Sequence, residues 1–76
     1  MDEREWLDCF AVSLSLLMDD YGVSQTELAE AIGVTVATVN GYINRKRMPS
    51  LKAIINISYL FHVSIDDLVD YGGPIN

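Results

Sequence analysis

Seventy-six residues are enough for one domain with a small core; half of them are apolar, and the formal net charge is −6. A single cysteine, Cys9, excludes an internal disulfide and any cysteine-based zinc site; it reads, like Trp6, as a core or half-buried residue. The start, MDEREW, is acidic, so the apolar run from Cys9 to Met18 lacks the basic flank of a signal peptide, and Asp19 and Asp20 stop it short of a membrane span. The expectation is a soluble cytoplasmic protein that makes no use of a membrane.

In chain order, the first helix is predicted from about Glu3 to Asp20. Trp6, Phe10, Leu14, Leu17 and Tyr21 recur at spacings of three and four and form its core-facing stripe. Asp2, Glu3 and Glu5 suit the positive end of the helix dipole, whereas Asp19 and Asp20 oppose it at the other end. Gly22 ends this helix. Ser24 then opens a second one, with Glu27 completing a capping box and Leu28, Ala29 and Ile32 on one apolar face. Gly33 follows, where a helix end favours a residue free to take positive φ. Thr35 caps a third helix, in which Val36, Val39, Tyr42 and Ile43 restart the period. Neither of these two helices is long enough to stand alone in water, so each must pack on the other and on its flanks. The loop Asn44-Arg45-Lys46-Arg47-Met48-Pro49 is polar, and Ser50 caps a fourth helix with Leu51, Ile54, Ile57, Ser58 and Phe61 in helical register. Ser64 with Asp67 resembles another capping box and opens a short helix from Ile65 to about Asp70; the tail 71–76 cannot continue it. Repeats, linkers and low-complexity segments are absent, so residues 1–76 read as one unit.

Charge is unevenly distributed along this chain. Residues 1–30 hold eight acids and only Arg4, and residues 66–76 hold three acids and no base. Residues 31–65 have no acid and carry Arg45, Lys46, Arg47 and Lys52. Screening acts over roughly 8–10 Å, so the local block governs a binding face more than the total does. The acidic remainder weakens non-specific attachment to nucleic acid.

The stretch Ser24 to Ile43 gives this pattern a family. Gln25-x-x-Leu28-Ala29-x-x-x-Gly33-Val34-Thr35-x-x-Thr38-Val39 resembles the helix-turn-helix of the lambda-repressor/Cro-type (XRE-like) regulators of phage and bacteria. The likeness continues through Pro49-Ser50-Leu51 and Phe61-x-Val63-Ser64-x-Asp66-x-Leu68, and so covers about Phe10 to Leu68. It implies a compact all-α domain of five helices, with the third lying in the DNA major groove.

By this resemblance Gln25 contacts a phosphate through its side chain and backbone N–H, where a residue-level reading sees a solvated polar residue in a first turn. Thr35, Val36, Ala37, Thr38, Asn40 and Gly41 match positions that face the groove. Val36 and Ala37 offer no hydrogen bond but can meet thymine methyl groups, and Asn40 is either a bidentate reader of adenine or a solvated helix residue. Gly41 costs a short helix about 1 kcal/mol relative to Ala, in return for close approach to DNA or for freedom in packing Tyr42. Arg45, Lys46, Arg47 and Lys52 are expected on phosphates rather than in an ordinary solvated loop, because four of the five basic residues fall within eight positions, and Asn44 beside them is expected to contact DNA as well. Arg45 stands where relatives often carry glycine. Met18 and Ile43 stand where many relatives carry an Arg–Glu ion pair, which suggests a contact preserved with changed chemistry. His62 has no ligand-spaced partner and reads as structural or exposed, and no catalytic constellation is present.

The functional expectation is therefore a duplex-DNA-binding transcriptional regulator of repressor type, without enzymatic activity, cofactor, metal or small-molecule ligand. A homodimer is expected, using Ile55, Tyr59, Val69, Tyr71 and Ile75. The alternative is a protein-interaction module, such as an antitoxin-like or phage-encoded partner, in which DNA readout is weakened.

Overall fold

The computed structural model describes residues 1–70, whose regular secondary structure is entirely helical. The order is α1 (Glu3–Tyr21), α2 (Gln25–Ile32), α3 (Val36–Ile43), α4 (Leu51–Phe61) and α5 (Asp67–Asp70). This is the five-helix architecture expected from the sequence. Tyr71 and Ile75, expected at a dimer surface, lie outside the described residues.

Local chemistry sets most of the boundaries. Asp2 caps α1 through a capping box with Glu5, and Gly22 closes the helix in the left-handed conformation at φ 67°. Ser24, Thr35 and Ser50 each accept the backbone N–H three residues on, which satisfies one of the orphan donors of a helix start. At the end of α4 the left-handed position falls to His62, at φ 56°, so this exposed residue is a helix cap. The fifth helix begins two residues later than expected: Ser64 accepts from the Asp67 N–H, and Ile65 stays in the preceding turn, exposed.

The core is one cluster contributed by every helix. Phe10, Leu14, Leu17 and Met18 from α1 meet Leu28, Ala29 and Ile32 from α2, Val39 and Tyr42 from α3, Ala53, Ile57 and Phe61 from α4, and Leu68 from α5. Rings add to the packing: Trp6 stacks on Phe10 within α1 at 5.1 Å, and Phe10 meets Tyr42 of α3 edge-on at 6.0 Å. Tyr21 closes the expected α1 stripe only partly. It is exposed, yet its ring sits edge-on against Phe61 at 5.3 Å.

One member of the expected α4 core stripe, Leu51, lies outside it. Leu51 is 70% exposed, while Ala53, Ile57 and Phe61 are buried and Ile54 is half-buried. The small side chain of Ala53 lets the helix approach along the 53–57–61 line. Leu51, Ile55 and Tyr59, also four apart, are thereby left together on the opposite side.

Candidate nucleic-acid interface

The two central helices are held at a fixed angle by their connection. Gly33 takes φ 75°, and the Val34 N–H bonds back to the Ala29 carbonyl at 3.0 Å, ending α2 within one residue. Thr35 then accepts from the Thr38 N–H at 3.1 Å, and the two threonine hydroxyls lie 2.9 Å apart, so α3 starts at once. With Leu28, Ala29, Ile32, Val39 and Tyr42 all in the core, neither helix can rotate without unburying apolar surface.

That anchoring turns one side of α3 outward. Val36, Ala37, Asn40 and, just beyond the helix, Asn44 are exposed, whereas Thr38 and Gly41 are half-buried. Asn40 and Asn44 form a pair. The Asn44 side-chain amide donates to both the backbone carbonyl and the Oδ1 of Asn40, each at 3.0 Å. A carboxamide oxygen has two lone pairs, so Asn40 retains one acceptor site and its own N–H donors while its rotation is restricted.

The basic loop folds back on the end of α3. The Lys46 and Arg47 N–H groups both bond to the Gly41 carbonyl, at 2.8 and 3.2 Å. A Cβ at Gly41 would lie 3.1 Å from the Arg47 Cβ, so glycine admits the Arg47 stem. The conformational freedom spent at position 41 thus serves the packing of the loop. Burial pushes the Tyr42 phenol above its ordinary range, and the neighbouring Arg47 guanidinium opposes that shift. Lys46, Arg47 and Lys52 are exposed.

Arg45 differs from the other three cations. It takes a left-handed φ of 61°, the conformation for which glycine is the usual residue, and its Nε lies 3.0 Å from Asp8 Oδ1 on α1. Asp8 was not among the residues singled out by sequence, and no local pattern signals it, because the pair joins segments far apart in the chain. Gln25 is half-buried at the first position of α2, and its neighbour box holds Glu27: the Ser24 N–H donates to the Glu27 carboxylate at 2.8 Å, which keeps that carboxyl below its ordinary range. Met18 is buried in the core and Ile43 is half-buried against it, so both departures from the relatives' ion pair occupy apolar surroundings.

Two capped helices held at a fixed angle, with the second turned outward, define a helix-turn-helix protein. A family model described as Helix-turn-helix matches residues 14–68, and the chain belongs to this lambda-repressor-like (XRE) family. Among solved structures, a transcriptional regulator from Listeria innocua is 33% identical and superposes with a TM-score of 0.76 over 88% of this chain. The chain spans 63% of that regulator's length. No curated protein matches the sequence. Among the described residues, no helix is long and apolar enough to cross a membrane, and no group of His, Cys, Asp and Glu is arranged to hold a metal ion.

Proposed function

We propose that this chain is a duplex-DNA-binding transcriptional regulator in which α3 enters the major groove. The observation that carries the proposal is the outward face of α3, anchored by its buried side and continued by a cationic loop. Val36 and Ala37 meet thymine methyl groups, and Asn40, steadied by Asn44, hydrogen-bonds a base edge. Thr35 and Thr38 line the start of the same helix. Gln25 at the start of α2, with Lys46, Arg47 and Lys52, takes the flanking phosphates, which position the domain without reading sequence. Occupancy of an operator would then repress or activate according to where that operator lies.

A single α3 makes few directional contacts, each good bidentate one supplying about 1–3 kcal/mol of discrimination. Two copies on a palindrome double them, with half-sites about one helical turn apart, roughly 34–36 Å. The exposed α4 stripe of Leu51, Ile55 and Tyr59 supports such a homodimer; Val69 is half-buried against the core and adds less. The same stripe favours the second reading, a module that binds another protein. Selection of fragments from random duplex DNA separates the two. An enriched palindrome supports the regulator, and recovery of no preferred sequence, from protein that retains its helical fold, rejects sequence-specific readout.

A further inference from the structure

We infer that Asp8 sets how strongly this protein holds DNA irrespective of sequence, by keeping Arg45 off the phosphates. The inference rests on the proposed DNA-binding role and adds to it a residue on α1, outside the helix-turn-helix. Arg45 belongs by sequence to the cationic loop, but its side chain is spent elsewhere. Its Nε lies 3.0 Å from Asp8 Oδ1, in a surface depression that Glu3, Arg4, Leu7 and Met48 also line.

Stability does not account for this arrangement. Both side chains are about half exposed, at 44% and 54%, and ion pairs so exposed contribute little to folding. Against that small gain stands the left-handed backbone at Arg45, which disfavours any residue with a Cβ. Glycine at position 45 would therefore serve the fold at least as well. What the pair changes is the charge offered to a ligand. The Lys46 and Arg47 N–H groups bond to the Gly41 carbonyl and the Arg47 stem packs over Gly41, but among the described residues neither cation is ion-paired to a carboxylate, whereas the Arg45 guanidinium already has an anion. A phosphate must displace a carboxylate to reach it. The loop thus presents fewer available cations than its sequence contains, and grip on non-specific DNA falls while base contacts from α3 are untouched.

The test is a cycle of Asp8→Asn, Arg45→Ala and the double variant, with affinity for a random-sequence duplex measured against salt. Each phosphate contact adds about −0.9 to the slope of log affinity on log salt. Arg45→Ala alone should leave the wild-type slope nearly unchanged, because Arg45 contributes no contact. Asp8→Asn should steepen it by about 0.9 and tighten binding roughly fivefold near 0.15 M salt, and both gains should vanish in the double variant. Two results overturn the inference: a flatter slope on Arg45→Ala alone, or an Asp8→Asn gain that persists without Arg45 and so reflects charge at a distance. A steep wild-type slope in either case leaves the DNA-binding role standing. Variants that are helical by circular dichroism yet show no salt-dependent binding at all reject that role and this inference together.

Discussion

His62 and Arg45 are the two described residues other than glycine with positive φ, and they hold that conformation for different reasons. Arg45 reaches an anion from it. His62 closes α4, with its N–H on the Tyr59 carbonyl and the Val63 N–H on the Ser58 carbonyl, and it is exposed. Only the backbone shape is needed there, and glycine supplies it without a Cβ penalty. We therefore predict that His62→Gly raises stability by about 0.5–1 kcal/mol, read as a shift of the urea midpoint with unchanged slope. Glu27 gives a prediction in pH. Its carboxyl is lowered by the backbone N–H of Ser24 first and by the Ser24 hydroxyl second. A lowered group adds stability above its unfolded pKa, near 4.3, and loses it as pH falls through the folded value. The advantage of wild type over Glu27→Gln should accordingly shrink as pH is lowered from about 5 into the acid range, measured by thermal unfolding at each pH. A constant difference would mean that the capping box contributes through its shape alone.

At the scale of elements, α1 and α3 are joined by apolar contacts where an ion pair is common among relatives. Met18 is 7% exposed, and Ile43 packs half-buried against the same cluster. A carboxylate placed there is partly stripped of water with Met18 rather than a cation expected opposite it, and breaking a fully buried pair by leaving one charge costs about 3–5 kcal/mol. Ile43→Glu should destabilise by a few kcal/mol, less than that range because the site is only half-buried. Adding Met18→Arg should recover part of the loss. The measurement is a double-mutant cycle by urea unfolding; additive effects would mean that the two positions do not communicate. The loop between α3 and α4 obeys a related logic. Gly41 weakens α3 as a helix but admits Arg47, so a position unfavourable for the element is favourable for the join between elements.

Over the whole molecule, the described surface carries two features that its core does not need. One is the outward face of α3 with its cationic loop. The other is the α4 stripe, where Leu51 and Tyr59 are 70% and 75% exposed. Four-residue spacing sets these side chains in one line, and a two-fold contact places such a line against its own copy. In sedimentation, wild type should form dimers at high concentration and Tyr59→Glu should remain monomeric with an unchanged fold. If wild type is monomeric at high concentration and still binds a single half-site tightly, the dimer is wrong and the stripe serves another partner.

Helix number, order and the caps at Ser24, Thr35, Ser50 and Ser64 were legible in the sequence because each depends on short-range chemistry: apolar spacing within a helix, and a hydroxyl three residues before an orphan N–H. The capping box of Asp2 and the cap at His62 were not read from it. The outward α3 face was legible only through the family resemblance: apolar period alone groups Val36 with Val39 and Tyr42, whereas Val36 is exposed and the other two are buried. In α4 the expected stripe held at Ile54, Ile57, Ser58 and Phe61, but the exposure of Leu51 was not legible, because it satisfies the same period at the first helical position and only the packing of the helix decides whether it is covered. Nor did local pattern show the partner of Arg45. The chain places the cationic block in an acid-free segment, and only the packing of α1 beside the end of α3 brings Asp8 to 3.0 Å from it. Periodicity and capping act within a few residues and survive in any fold; an ion pair between distant segments exists only once the core has set their distance.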